Sequence, residues 1–198
     1  MIDFLFQTIF FMNNFVENNY VIAIIIYFLF SLLFFSLSLP GGLIILLSSG
    51  FFFGTIFGFF INITSITIGS IIFIKLSKNL LKNIFKKYHS KYINKFSHYI
   101  TDNNSYEYLI LLRLLIGIPL AFQNILISFL NINFKKIFIS TLIGFSPLMF
   151  LFSYTGNYAF NIFELRNISF KQIFSKDILL IFIIIIILIL LKIFIKNK

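Results

Sequence analysis

Cysteine is missing from this 198-residue chain, which excludes disulfides, thiolate metal sites and cysteine nucleophiles together. The absence says little about redox compartment, since a core held in lipid needs no staples. Tryptophan is absent too, beside 31 phenylalanines and an excess of Ile, Asn and Lys. That bias follows AT-rich codon usage and carries no chemistry. Charge is scarce: 11% of residues are charged, where a soluble domain carries about 25%. With 60% hydrophobic residues and a mean hydropathy of +1.02, such a chain could not cover a water-facing surface. The composition is that of an all-α integral membrane protein forming one membrane domain over 1–198.

Acids are the rarest charges. The six present (Asp3, Glu17, Asp102, Glu107, Glu164 and Asp177) are scattered near segment ends, so no carboxylate dyad is visible. His89 and His98 lack metal-like spacing and carboxylate partners. Neither a metal, a cofactor nor an enzyme activity is expected, since no nucleophile–base pair or ligand set can be assembled. The net charge of +10 could suggest nucleic acid, but its distribution argues against that partner. Seven lysines fall between Lys75 and Lys95 and the remainder flank apolar runs, as they do beside an anionic membrane surface. The first 19 residues hold no Lys or Arg, so a cleavable signal peptide is not expected.

Three prolines punctuate what is otherwise a series of apolar runs. Residues 1–19 form an Asn-rich lead-in with the character of an interfacial helix. Tyr20 to Leu39 is long enough to cross about 30 Å of hydrocarbon, and Pro40-Gly41-Gly42 stops it. Leu43 to Ile74 holds 32 uncharged residues, too long for one upright crossing and too short for two. The glycines at its start point to a half-membrane re-entrant segment over 41–53 and a crossing over 54–74. Broken backbone at that depth is tolerated only in a protein interior or a wet cavity.

From Lys75 to Phe96 the pattern changes to a basic amphipathic helix, with Leu76, Leu80, Ile84, Tyr88 and Tyr92 on one face and Lys75, Lys78, Lys82 and Lys86 on others. Each lysine near an anionic leaflet contributes about 1 kcal/mol. The plainer alternative is a solvated connecting helix. Thr101–Ser105 reads as a flexible break, and Tyr106–Leu130 as a second broken segment. Asn131–Lys136 is a basic turn, and Ile137–Tyr154 a crossing kinked at Gly144 and Pro147. A polar loop then leads to a last crossing over 178–195. With the lysine-rich helix in the cytoplasm, the basic clusters at 75–95, 135–136 and 192–198 share one side. The expected architecture is therefore about four transmembrane helices plus two opposed re-entrant segments related as an inverted repeat. Both termini are expected in the cytoplasm of a cell with an inner membrane.

Two motifs could carry function. Gly50, Gly54 and Gly58 form a four-residue ladder that lets helix backbones approach closely, and packing alone explains it. LLRLLIGIPLAFQN (Leu111–Asn124) carries the one charge inside an apolar run, Arg113. Such a charge costs about 2.5–3.5 kcal/mol at a helix centre, so a cavity, an acid such as Glu107 or Glu164, or a lipid phosphate must compensate it. Snorkelling to the cytoplasmic edge is the plainer alternative. Pro119 frees a backbone carbonyl that Gln123 and Asn124 can satisfy, or these amides can bind a headgroup or bond between helices. Asn62, Asn103 and Asn167 open glycosylation sequons that an Asn-rich chain produces by chance.

Taken in order, these motifs resemble the VTT-domain proteins (the SNARE-associated Golgi protein family of the DedA superfamily) over Leu39–Gly156. The resemblance rests on Pro40 to Gly54, Gly69-Ser70, the Arg113–Pro119–Asn124 element, and Gly144, Pro147, Tyr154 and Gly156. It implies opposed re-entrant hairpins and movement of phospholipid or polyprenyl phosphate across the bilayer. The classical DedA branch has a Glu at the position of Gly42 and an Asp at that of Ser70. Two further family residues, a Pro and a Gly, are replaced by Ile116 and Ser128. Without the two acids, movement would be passive scrambling or exchange rather than ion-driven. The expectation is a lipid translocase in which Arg113 contacts the phosphate and Pro40, Gly41, Gly42, Pro119, Gln123 and Asn124 shape the site. The partners would be anionic phospholipid or polyprenyl phosphate, and a homo-oligomer is compatible with the sequence. The alternative is a non-transporting scaffold acting through the helix 75–96.

Overall fold

A computed structural model describes residues 2–80, 106–115, 117–130, 132–165 and 187, with side chains within 7–160 and at 187. Among the described residues every regular element is helical. The helices are α1 (Ile2–Asn18), α2 (Tyr20–Ser36), α3 (Gly42–Leu80), α4 (Tyr106–Leu114), α5 (Leu120–Phe129) and α6 (Phe134–Leu165).

Local chemistry sets the break after α2. Leu39 precedes Pro40 and is thereby biased away from helical geometry. Ser38 turns left-handed at φ 48°, and its N–H and that of Leu39 return to the Phe35 and Phe34 carbonyls at 3.1 and 3.3 Å. This is a Schellman closure with serine where glycine is usual. Gly41, at φ 94°, completes the turn.

The uncharged run that follows is not one rod. At Gly54 the backbone takes φ 77° and ψ 173°, a region open essentially to glycine alone, and the chain reverses there. Residues equidistant from Gly54 then meet. Asn62 Nδ2 donates to the Leu46 carbonyl at 2.9 Å, and a Cβ on Gly58 would lie 2.8 Å from the Gly50 backbone. α3 is thus an antiparallel hairpin of a 42–53 limb and a 55–80 limb. The latter is about 39 Å long at 1.5 Å per residue.

α2 lies antiparallel to the short limb. Tyr20 Oη donates to the Phe53 carbonyl at 3.4 Å, occupying an acceptor that the reversal leaves without a helical donor. Tyr27 Oη donates to the Ile45 carbonyl at 2.6 Å, and Phe35 packs against Gly42. α6 runs antiparallel to the long limb. Lys78 sits over the Phe134 ring at one end, and Asn62 bonds Ser153 further along. The assembly has two ends: one holds Tyr20, Gly54 and Asn157, the other Lys78, Phe134, Tyr106 and Lys136.

The turn 37–41 reaches neither end. A Cβ on Gly69 would overlap Phe35 and Ser36, and Gly69 is about 22 Å along the helix from Gly54 and about 16 Å short of Leu80. α4 and α5 form a second hairpin that starts from the lysine end. Its turn, 115–119, includes Gly117 at φ 98°.

The structure differs from the sequence reading in three places. Tyr20–Leu39 was expected to cross, but the helix stops at Ser36 and folds back through 42–53, because Pro40 and Gly41 reverse it partway. The break expected at Lys75 is absent. α3 continues to Leu80, since no Pro or Gly interrupts it. α6 passes Gly156 as helix to Leu165, so the polar loop does not begin there. The lead-in is helical over Ile2–Asn18, in keeping with the sequence reading. The rest of the amphipathic helix (Lys82 and Lys86 included), His89, His98, Thr101–Ser105 and the run 178–195 apart from helical Ile187 lie outside the described residues.

The outer surface is apolar where water would forbid it. Val21, Ile22, Ile25, Ile26, Leu29, Phe30 and Leu33 of α2 are each more than half exposed, as are Ile44, Ile56, Phe57 and Phe60 of α3. A patch of that extent marks a lipid-facing surface. Gly42–Leu80 and Phe134–Phe160 are long and apolar enough to cross a membrane, and the bent pair α1–α2 makes a third candidate.

Inside, helix backbones touch. A Cβ on Gly50 would collide with the Ser153 carbonyl, and one on Gly156 with the Leu47 carbonyl. Rotamer changes cannot relieve backbone contacts. Gly50→Ala and Gly156→Ala should each cost about 1–3 kcal/mol of stability and lower the melting temperature in detergent. Ile44→Ala, at a position 73% exposed, should leave it unchanged. Equal melting for all three variants would contradict the close approach.

Candidate functional site

The two mid-depth turns meet. Asn124 Nδ2, on α5, donates to Ser38 Oγ at 3.2 Å, joining residues 86 positions apart. Asn124 is fully buried, and its Oδ1 has no hydrogen-bond partner. Ser38 therefore combines a strained left-handed backbone with the contact between the two hairpins. Strain of that kind persists only where the surroundings hold it.

Arg113 lies one turn of chain away, near the end of α4. It is 1% exposed, so it does not snorkel to the edge. Space for it is made by Gly144 of α6, where a Cβ would come within 2.6 Å of Arg113 Cβ. Nη1 donates to Gln123 Oε1 at 3.3 Å, and the guanidinium carbon sits 5.1 Å from the centre of the Phe145 ring. Gln123 in turn donates Nε2 to the Ile118 carbonyl at 3.2 Å. At the break made by Pro119 the Gln123 side-chain amide thus serves a backbone carbonyl, as the sequence suggested. Pro119 caps α5, and its own carbonyl accepts the Gln123 backbone N–H at 3.1 Å. The sequence offered Glu107 or Glu164 as a compensating acid, whereas this hydrogen bond goes to a neutral amide.

A charged donor to a neutral acceptor contributes about 1.5–3 kcal/mol, and a desolvated cation over a ring about 2. Together these are comparable with the insertion cost of about 2.5–3.5 kcal/mol. The guanidinium is accommodated, yet Nε and Nη2 keep donors with no partner.

Other buried polar atoms share this depth. Ile74 and Ile137 belong to one cluster, and Lys78 faces Phe134, so Thr67 and Ser70 on α3 fall opposite the Thr141–Phe145 stretch of α6. The hydroxyls of Thr67, Ser70 and Thr141 are buried and lack partners, like the two Arg113 nitrogens and Asn124 Oδ1. Of eight orphaned buried polar atoms among the described residues, these six share one level and describe a polar centre within an apolar shell, while Ser31 Oγ and Asn62 Oδ1 lie apart from them. Buried polar groups are otherwise almost always paired.

The remaining sequence candidates fall in three places. Pro40 and Gly41 form the first turn, and Gly42 opens α3 with a prospective Cβ 3.0 Å from the Phe35 ring. Phe35 also covers Gly69, so Gly42 and Gly69 meet the same phenylalanine. Gly50 and Gly58 lie at the hairpin contact, whereas Gly54 supplies the reversal itself. Lys75 and Lys78 lie at the lysine end, away from the polar centre.

Sequence reasoning passed over Asn62, Ser38 and Ser153. Asn62 is fully buried, and its Nδ2 donates to Leu46 on the facing limb and to Ser153 on α6 at 3.0 Å, so one side chain ties three segments together. A signal was available: an asparagine in an uncharged run, as far after Gly54 as Leu46 is before it. It was read only as a sequon.

An all-helical integral membrane protein with lipid-facing outer helices and a buried, incompletely paired polar centre is the class these features define. A VTT-domain family model matches residues 39–158, three-fifths of the chain, and the chain belongs to that family of the DedA superfamily. No curated protein and no solved structure matches the chain.

The contact between the turns can be weighed by a double-mutant cycle. Ser38→Ala and Asn124→Ala, alone and together, should show a coupling of about 0.5–1.5 kcal/mol in detergent unfolding, the range for hydrogen bonds between membrane helices. Strict additivity would mean that the two hairpins do not support one another.

Proposed function

We propose that the protein moves phosphate-bearing lipids across the bilayer, with Arg113 as the contact for the phosphate. The observation that carries this reading is the buried guanidinium with two unspent donor nitrogens, Nε and Nη2. A phosphate oxygen pair is the natural acceptor for such a planar fork. Asn124, Ser70 and Thr141 lie at the same depth and offer further polar partners. An isolated lipid scaffold would have no need of this centre, since a well-packed apolar core costs less.

The arrangement in the membrane follows from the lysines. With Lys75, Lys78, Lys135 and Lys136 at the cytoplasmic surface, the α4–α5 hairpin enters from the cytoplasm and turns at 115–119. The α2 and 42–53 pair enters from the opposite face and turns at 37–41. Each is followed by a long helix, α6 and the 55–80 limb respectively. This is an inverted repeat of hairpin plus crossing, with the two tips touching near mid-depth. On this reading the N-terminal helix lies on the outer face, whereas a full crossing over Tyr20–Leu39 would leave it in the cytoplasm.

Gly42 and Ser70 leave no titratable group at the positions where the classical branch has acids. Transport is therefore passive, equilibrating lipid between leaflets without proton coupling. Polar headgroups would pass between the touching tips while the acyl chains stay against the exposed faces of α2 and α3.

A vesicle assay tests this. Purified protein reconstituted with fluorescent phospholipid or polyprenyl phosphate should expose inner-leaflet probe to an impermeant quencher faster than empty vesicles do. Arg113→Ala should return the rate to the protein-free level, and Arg113→Lys should recover only part, since it keeps the charge and loses the fork. Circular dichroism and detergent melting establish that each variant is folded. A folded Arg113→Ala protein with the wild-type rate would defeat the reading, and so would a wild-type rate equal to that of empty vesicles.

A further inference from the structure

The charges and shape of α1 point to a second lipid contact, of a different kind from the lysine surface. α1 bends from α2 by 118°, so where α2 follows the bundle axis α1 runs across it. It is fastened at its C-terminal end, where Val16 is buried in one cluster with Ala23, Phe53 and Ile61. That is the Gly54 end of the bundle, opposite Lys78 and Phe134.

The helix is divided around its circumference at 100° per residue. Ile9, Phe11, Met12, Phe15 and Val16 occupy one arc. Gln7, Asn13, Asn14, Glu17 and Asn18 occupy the other, with the exposed Phe10 among them and Thr8 among the apolar set. Only part of the apolar arc meets the bundle. Phe11 is 73% exposed, and Met12 and Phe15 are exposed as well. On the polar arc Asn13 Nδ2 donates to Glu17 Oε1 at 2.8 Å, and Asn18 Nδ2 to the Asn14 carbonyl at 2.9 Å. These bonds keep the polar face at work within the helix rather than against a neighbour.

Charge decides what covers the aromatic face. Residues 1–19 contain Asp3 and Glu17 and no Lys or Arg, while all 16 basic residues of the chain lie at or beyond Lys75. A surface of anionic headgroups would repel such a helix, whereas a zwitterionic surface would not. Apolar side chains on an interfacial helix sink about 5–10 Å into the boundary between headgroups and acyl chains. We infer that α1 is an interfacial helix seated in the leaflet opposite the lysines, with Phe11, Met12 and Phe15 inserted among zwitterionic lipids. The two ends of the protein thus read two different leaflets: the lysine end by charge and the Gly54 end by apolar insertion alone. The inference rests on the opposite placement of the two ends and does not require lipid movement.

The chain has no Trp and no Cys, so single reporters can be placed in the full-length protein without background. In phosphatidylcholine vesicles, Phe11→Trp should be quenched about twofold more by a shallow lipid-attached quencher than by a deep one, as insertion to about 5–10 Å requires. Asn14→Trp should instead respond to aqueous acrylamide. Adding anionic phosphatidylglycerol should not strengthen the quenching of Phe11→Trp. Asn14→Cys and Lys75→Cys, in proteoliposomes of uniform orientation, should react with an impermeant maleimide from opposite sides. Labelling from the same side would overturn the inference. So would a Phe11→Trp signal untouched by lipid quenchers, the outcome expected if a second copy of the chain covers that face. Neither result bears on the rate measured with Arg113→Ala, so failure here is distinguishable from failure of the translocase reading.

Discussion

Backbone contact at three glycines holds this protein together. Gly50 faces the Ser153 carbonyl, Gly58 faces Gly50, and Gly156 faces Leu47, all at separations that leave no room for a Cβ. In lipid there is little hydrophobic drive between helices, so such close packing, with its dispersion contacts, becomes the main source of association. The contacts form because the chain reverses at Gly54, and that reversal needs a backbone conformation only glycine adopts readily. Asn62 then bridges the same three segments with hydrogen bonds. The short limb of α3, its long limb and α6 form one frame on which everything else is mounted.

That frame fixes the depth of both turns. A Schellman closure terminates α2 beside Gly69, well inside the length of α3, and the α4–α5 hairpin descends to meet it. Broken backbone is tolerated at such depth only where protein shelters it. Here the shelter is mutual, since Asn124 reaches Ser38, and Gln123 serves both Arg113 and the Ile118 carbonyl. Most of the polar atoms left over after these bonds gather at one level. In an apolar shell this is costly.

The departure from the classical branch acquires a structural meaning. Gly42 and Gly69 both meet Phe35, and neither Gly42 nor Ser70 brings a charge to Arg113. A carboxylate there would offset the guanidinium and add a proton site. With glycine and serine, neither position adds a titratable group beside the guanidinium. Tyr20 and Tyr27 contribute at the other end, binding backbone carbonyls of the short limb, so the outer hairpin is held by hydroxyls rather than by ion pairs.

The sequence by itself determined the medium, the sites of chain breakage and the residue types at the polar centre. The scarcity of charge excluded water as the solvent, and Pro40-Gly41, Gly117 and Pro119 act through the backbone of their own neighbours, so their effect is local and legible. The single arginine in an apolar run was conspicuous for the same reason. Only the tertiary structure decided that Gly54 reverses the chain while Gly50 and Gly58 pack it, because a four-residue ladder looks the same in both cases. It also decided that α2 is half of a hairpin and that Asn62 is a tie between three helices. It further made Gln123 a hydrogen-bond partner of Arg113. Each of those depends on pairs of residues far apart in the chain, and a periodicity or a motif carries no information about what faces it across a helix interface.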